Sequence, residues 1–322
     1  MYKEMNNKEQ YIQFCQKEEN LPLFFQPWWL DAVTQPDGKQ WDVLLARNKH
    51  KDIAAVMPFV PGNKFGLKYV VMPQLTQYTG IWIKDVAGEN IAKRTTREKY
   101  LQNSIIEQLK KMNVSYFELN FPLVYTNWLP FYLAGYNQQT CYTYRLEDIS
   151  DTDKVFSLFF YTKKYQVHRA QKTLHIDYSM SADEFYELQC KQISSKGEKN
   201  FISKKLVCNV INTARQRKQG LVVRATDVKG NTHAAIFVVY DKKSAYELLT
   251  AISPEYRDTG ASTFVVWEAI KKLSKKTKAW DFAGSMIEEV EHSNRQFGTV
   301  QKPYFKITKY IKPIAVFKSL IK

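Results

Sequence analysis

The chain has 322 residues, of which 44% are hydrophobic and 14% aromatic, and its formal net charge is +15. This length has room for two domains with substantial cores, and the composition excludes a disordered chain. Apolar runs such as AAIFVVY at 234 to 240 fall far short of the roughly 18 residues that cross a bilayer, and the opening MYKEMNNKEQ lacks the apolar segment of a signal peptide. A cytoplasmic protein is expected.

The basic balance suits an anionic partner, whether nucleic acid, a phosphorylated metabolite or a membrane surface, and otherwise serves solubility. It is uneven along the chain. From Thr299 onward there are six lysines (302, 306, 309, 312, 318 and 322) and no acid, so peripheral membrane contact by this tail is one reading. Cys15, Cys141, Cys190 and Cys208 lie far apart without a CxxC, and the five histidines lack metal-ligand spacing. No metal site is expected.

In chain order, a helix is predicted around 8–18, followed by a short aromatic helix in QPWWLDAV. Strands follow at about 41–46, 53–60 and 67–72, rich in β-branched and apolar residues. MPQLTQYTGIWI reads as a loop plus strand, 97–112 as a helix, SYFELNF as a strand, TNWLPFYLAGY as a short helix and turn, and TCYTYRLE as a strand. A second half begins near Ser150. TKKYQVHRAQK is a basic helix and LHIDYSM a strand, and Ser181 with Glu184 forms a capping box that opens the next helix. A helix over 203–218 leads to Gly220. Three strands follow (LVVRATDV, THAAIFVVYD, SAYELLTAIS), then a turn, a helix, the strand WDFAG and a final strand in PYFKITK.

Two segments match. IIEQLKKMNVSYFELNF at 105–121 and VWEAIKKLSKKTKAWDFAG at 266–284 share apolar, Glu and Lys-Lys positions before turning into an aromatic strand. With matching strand and helix order around each, they predict two similar α/β domains in tandem.

SPEYRDTGASTFVVWEAIKK at 253–272 puts small residues where a helix begins. Unpaired helix N-terminal amides attract anions. Gly260 permits close backbone approach, Ala261 and Ser262 keep it clear, and Arg257 can add a charge-assisted bond to phosphate. An ordinary strand-turn-helix corner would look the same.

In context, three antiparallel strands, this turn, a helix and a strand resemble the GNAT acyltransferase superfamily. There, an RxxGx(G/A) turn holds the pyrophosphate of acyl-CoA, a role the resemblance assigns here to Arg257, Gly260, Ala261 and Ser262. Ser262 departs from the usual Gly or Ala. Nearly the whole chain resembles the Fem-type peptidyltransferases and BioF2-like acetyltransferases, through FFQPWWLDAV, MPQLTQYTGIW, LPFYLAGYNQQTCYTYRLED, KKYQVHRAQK, WDFAGSM and NRQFGTVQKPYF. The resemblance implies an α/β (α+β) fold of two tandem GNAT-like domains, each a mixed, mostly antiparallel sheet flanked by helices. It implies transfer of an acyl or aminoacyl group to an amine bound between the domains. The domains are expected at 1–149, with the tail 305–322 able to rejoin it, and at 150–304, which carries the donor site. The usual FKxxFG reads SNRQFG here, and no coiled-coil insertion is present, which disfavours a peptidoglycan cross-bridge role.

Acylation of an amine needs a proton acceptor and a polarised carbonyl. With no GxSxG elbow, direct attack is expected. Glu247, on the strand before the turn, is read as sharing a face with Ala245 and Leu249, where it can take a proton; its other reading is a solvent-facing strand carboxylate. Asp281 can orient a base or cap a helix. Tyr304 can donate to a leaving thiolate or pack in the core. Lys164 and His168, with Arg169 and Lys172, make a basic strip able to hold an anionic substrate or RNA. His292 and Arg295 share a helix face, and Gln77 and Tyr78 occupy a recognition-type loop.

The expected function is an N-acyltransferase using acetyl-CoA or another acyl-CoA on an amine of an anionic or sugar-linked acceptor. Two alternatives stand beside it: an aminoacyl-tRNA-dependent transferase acting on a cell-wall precursor, and a non-catalytic binding protein that kept the fold.

Overall fold

A computed structural model describes residues 5–284 and 286–310. In chain order the elements are α1 (Asn7–Lys17), α2 (Pro27–Thr34), β1 (Asp42–Arg47), β2 (Ile53–Lys64), β3 (Leu67–Val71), β4 (Trp82–Ile83), α3 (Ile91–Met112), β5 (Tyr116–Asn120), α4 (Leu129–Leu133), β6 (Asn137–Leu146), α5 (Thr152–Leu158), α6 (Tyr161–Gln171), β7 (His175–Asp177), α7 (Ala182–Ser194), α8 (Lys204–Gln216), β8 (Gly220–Thr226), β9 (Thr232–Tyr240), β10 (Ser244–Ile252), α9 (Ala261–Leu273), β11 (Ala279–Asp281), α10 (Glu288–Arg295) and β12 (Val300–Tyr310). The chain forms two compact units, residues 1–141 with 303–322, and residues 142–302. The lysines at 312, 318 and 322 on which the membrane reading draws lie outside the described residues.

The first unit is an antiparallel meander, β1-β2-β3, whose last strand is joined through α3 to a parallel neighbour, β5. β12 then pairs antiparallel with β5, from Lys306 opposite Asn120 to Tyr310 opposite Tyr116. The core of this unit gathers Leu44, Met57, Phe59, Leu101, Ile105, Phe117, Leu119, Phe121 and Ile307.

The second unit repeats the plan. β8-β9-β10 is an antiparallel meander, and α9 carries the chain to β11, parallel to β10. β6 lies antiparallel to β11, and β7 extends the sheet beyond β8. The two matching sequence segments are therefore α3 with β5 and α9 with β11. The strand that completes each unit comes from the far end of the chain order: β12 for the first, β6 for the second. The predicted capping box is present, with the Ser181 hydroxyl accepting from the Glu184 amide and the Glu184 carboxylate accepting from the Ser181 amide.

On α9, Ala261, Thr263, Phe264, Val265, Val266, Trp267, Ala269, Ile270 and Leu273 are all buried, so the helix is apolar on most sides and lies between neighbours. Its companion is α6, which buries Lys163, Val167 and Ala170. The two approach closely at Gly260, whose φ is +81° and where an added Cβ would sit 2.6 Å from the carbonyl oxygen of Gln166. Gly230 has the same backbone conformation (φ +83°) with nothing within 4 Å of an added Cβ. Gly230→Ala should therefore cost about 1 kcal/mol for the left-handed backbone alone. Gly260→Ala should cost about 1–3 kcal/mol more, since α6 must retreat. Urea denaturation of both variants checks this, and equal losses would show that α6 is not held against the turn.

Candidate active site

β10 and β11 pair in parallel only from Ser244 opposite Ala279 to Tyr246 opposite Asp281. β10 continues to Ile252 while β11 ends, and the next residue of β10 is Glu247. In open α/β sheets the carboxyl ends of parting parallel strands are the usual place for a ligand. The register against β9 shifts here: Glu247 lies opposite Val238, but Leu249 lies opposite Phe237, so Leu248 is the extra residue of a bulge.

The bulge corrects one sequence expectation. Glu247 does share the face of Ala245, but Leu249 is turned to the other face and Thr250 takes its place. The Thr250 hydroxyl donates to Glu247 Oε1 at 3.0 Å. Glu247 Oε2 is enclosed and has no hydrogen-bond partner, although the residue as a whole is part-exposed. Burial raises this carboxyl to about 7, against the lowering effects of the Thr250 bond and of the Lys163 charge.

Lys163 stands beside Lys164 in a basic stretch, and charge alone does not tell the two apart. Its spacing to Val167 and Ala170 held the signal, since positions i, i+4 and i+7 share one helix face. The side chain is 7% exposed. Its ammonium donates to Ser293 Oγ at 2.9 Å, lies 3.4 Å from Thr263 Oγ1 and sits 4.6 Å from the centre of the Phe297 ring. Burial lowers its pKa to about 8, with Glu247 acting in the opposite direction. The Thr263 hydroxyl donates to Gln166 Oε1 at 2.6 Å, tying α9 to α6.

The turn over 254–260 is anchored on several sides. The His233 ring stacks flat on Tyr256 at 3.9 Å, and its Nδ1 lies 3.2 Å from Thr259 Oγ1. Lys191 pairs with Glu255 at 2.7 Å, and Gln192 accepts from the Ile252 amide at 2.8 Å. Arg257 donates to Ser195 Oγ at 2.6 Å. Gly260 serves the approach of α6 from one side. No side chain caps the N-terminus of α9, where Ala261 is buried and Ser262 part-exposed. The anion-attracting element of the turn is thus the first turn of α9, and Arg257 already has a protein partner.

Asp281 is fully buried, and its carboxylate accepts from Thr143, from Arg145 and from the Ala283 amide at 2.8 Å. Burial raises its pKa and Arg145 opposes this. These bonds join β6 to β11 and give the residue a structural task. Tyr304 belongs to the first unit, buried beside Cys141. Gln77 and Tyr78 are also buried there, with Tyr78 edge-on to Phe24 at 5.3 Å and the Gln77 carbonyl accepting from Asn120 Nδ2 at 3.0 Å. Lys164 donates to the Ser157 carbonyl at 2.7 Å, His168 packs on Phe156, and Arg169 is exposed. His292 bonds Arg295 and Gln296, and Arg295 pairs with Glu291 at 3.2 Å. Among the described residues no cluster of His, Cys, Asp or Glu is arranged to hold a metal ion, and no helix is long and apolar enough to cross a membrane.

No protein-family model matches the chain, and no curated protein matches it in sequence. Solved structures do match. FemX aligns over 100% of both chains with a TM-score of 0.68 at 11% identity. The C-terminal domain of a putative lysylphosphatidylglycerol synthetase from Agrobacterium fabrum aligns over 98% of this chain and 96% of its own, with a TM-score of 0.57 at 10% identity. A tandem GNAT protein from the clavulanic acid biosynthesis pathway aligns over 94% and 95%, with a TM-score of 0.53 at 11% identity. Such identities speak for the fold and leave the chemistry to the site. The chain has the tandem fold seen in FemX and in the tandem GNAT protein.

Proposed function

We propose that the second unit transfers an acyl group from an acyl-thioester, acyl-CoA, to an amine, with Glu247 as the proton acceptor. The observation that carries this reading is the enclosed, unpartnered Oε2 of Glu247 at the point where β10 leaves β11. The amine nitrogen attacks the thioester carbonyl, the new C–N bond forms, the C–S bond breaks, and the thiolate leaves. The proton lost by the nitrogen passes to Glu247, directly or through water. A carboxylate of ordinary acidity is a weak base, whereas one raised toward neutrality is matched to the task. The diphosphate of the donor would lie at the uncapped first turn of α9, against Ser262. Asp281 and Tyr304 hold structure in this reading, and the acceptor amine is carried on an anionic or sugar-linked molecule.

Because Glu247 must be ionised to act, and its folded pKa is raised to about 7, kcat/KM should rise with pH through about 7 and fall roughly tenfold per unit below it. Glu247→Gln keeps the bond from Thr250, removes the base and should lower kcat by about 10²–10⁴. Thiol release from acetyl-CoA across a panel of amines measures both, and an active Gln variant with an unchanged pH profile would remove Glu247 from the reaction. Ser262→Glu should leave the fold intact, since an acid suits a helix N-terminus. It should weaken acetyl-CoA at least tenfold in calorimetry, and equal affinity in the two proteins would place the donor elsewhere.

A second donor, aminoacyl-tRNA, is favoured by one feature of α6. Tyr161 and Tyr165 are 78% and 63% exposed, and Arg169 and Lys172 continue the same face. Aromatic rings followed by cations form a surface for stacking bases and pairing phosphates. On this reading tRNA affinity falls linearly with salt on logarithmic axes, and Arg169→Ala lowers that slope by about 1. A slope untouched by the substitution would take α6 out of any RNA contact.

A further inference from the structure

We propose that Thr250 is a positioning residue for this transfer: its hydroxyl fixes Glu247 Oε1 as an acceptor and so assigns the incoming proton to Oε2. The proposal rests on the reading of Glu247 as the proton acceptor.

The two oxygens of a free carboxylate are equivalent, and a base that turns freely presents either. In a regular strand the neighbour of Glu247 on its own face would be Leu249, which has nothing to offer a carboxylate. The register against β9 prevents this. Glu247 lies opposite Val238, Leu249 opposite Phe237 and Thr250 opposite Ile236, so the extra residue, Leu248, shifts the alternation by one and brings Thr250 onto the face of Glu247. A bulge inside a strand gives up ladder pairing, and the result here is a donor beside the carboxylate. The Thr250 hydroxyl donates to Oε1 at 3.0 Å, while Oε2 is enclosed and has no hydrogen-bond partner among the described residues.

This asymmetry suits a proton acceptor. A carboxylate oxygen that already accepts a hydrogen bond is less basic than one that accepts none. The proton released by the amine nitrogen forms its O–H bond at Oε2. Oε1 is then the carbonyl oxygen of the neutral acid, and it still accepts from Thr250. The bond persists in both protonation states and the carboxyl keeps its place throughout. A donor on Oε2 would have to leave each time the proton arrived.

The charged groups of the neighbouring elements are engaged elsewhere. On β9 the residue opposite Glu247 is the apolar Val238. Asp281, at the end of β11, is bound by Arg145. On α7, Lys191 pairs with Glu255, and the acids of this helix pair with Lys204 and Arg224. Lys163 of α6 acts on Glu247 through its charge, but its hydrogen bonds go to Ser293 and Thr263. The contact that places the carboxyl is the one from Thr250.

Thr250→Val keeps the branched shape on the strand and removes the donor. A carboxylate that loses a bond to its charged form is easier to protonate, so the acid limb of kcat/KM should move to higher pH, by about tenfold in proton affinity. Carboxyl-carbon NMR of protein labelled at glutamate should show the same move in the Glu247 midpoint, its resonance being the one missing from Glu247→Gln. The plateau of kcat should fall about tenfold, because the base is no longer held in one orientation, while KM for acetyl-CoA stays unchanged. Thr250→Ser keeps a hydroxyl and should restore both limb and plateau, whereas a residue that only packs would lower stability in the Ser and Val variants and leave the limb in place in both. If Thr250→Val does not fold, Thr250→Ala removes the donor and gives the same readings. An unmoved midpoint and limb in the variants without a donor would overturn the proposal. A midpoint that moves in a protein that acylates no amine would leave the hold of the hydroxyl on Glu247 standing, and would sink the transfer reading and the positioning role together.

Discussion

A carboxylate and an ammonium share the interior of the second unit, and most of what is distinctive in that unit follows from keeping them there. Burial pushes each toward its neutral form, Glu247 up and Lys163 down. Such groups contribute little to stability, since buried charges recover only part of their desolvation. It is the kind of arrangement found where a fold gives up stability to hold a reactive group. The surrounding hydroxyls then have an evident purpose. Ser293, Thr263 and Thr250 satisfy hydrogen bonds that an apolar core would leave unmade, without neutralising either charge.

The sheet and helices place the two groups through separate devices. A parallel pair of only three positions ends at Tyr246 and Asp281, and a bulge then turns Thr250 onto the face of Glu247. The pairing is short because Asp281 ends β11, held by Arg145, Thr143 and the Ala283 amide. From the other side, α6 brings Lys163 in, and it comes close enough because Gly260 has no side chain to oppose the Gln166 carbonyl. Gly260, which reads in sequence as an opening for phosphate, acts in the structure as a seat for a helix. Either use needs the same missing Cβ, which is why spacing alone does not separate them.

Local patterning made much of the fold legible. The two helix-strand segments, the capping box at Ser181 and the three-strand meander are encoded in contiguous residues, and the structure places them as read. Helix α3 begins at Ile91, earlier than its apolar periodicity, because Asn90 caps it while its first turns are exposed. Helix α5 was missed because only Val155 of its seven residues is buried. Within the site, Glu247 was legible as a polar residue on an apolar strand, but the bulge beside it is a matter of tertiary register. The partner of Asp281 is Arg145, 136 positions away, and no local pattern announces it. Lys163 was legible in principle, by helical phase, and was hidden by the charged residues next to it.

The first unit shows what the same topology looks like without these devices. There the parallel pair is β3 with β5, ending at Val71 opposite Glu118, and the next residue is Met72. Its sulfur lies 2.9 Å from the Asn120 amide nitrogen, so a thioether stands where the second unit has a carboxylate. The space beside Asn120 is taken by the chain itself: the Thr79 amide donates to the Asn120 carbonyl at 3.0 Å, and Asn120 Nδ2 donates to the Gln77 carbonyl. The helix that follows is capped by Asn90, whose side chain accepts from the Lys93 amide at 2.9 Å. In the first unit, then, the parting of the strands is bridged by backbone and the helix amides already have a ligand. In the second, the strand continues past its partner with an ionisable group at the branch, and no side chain caps the helix. Two copies of one architecture thus diverge in the side chain after the last strand pair and in the cap of the crossover helix, and both differences favour chemistry in the second unit.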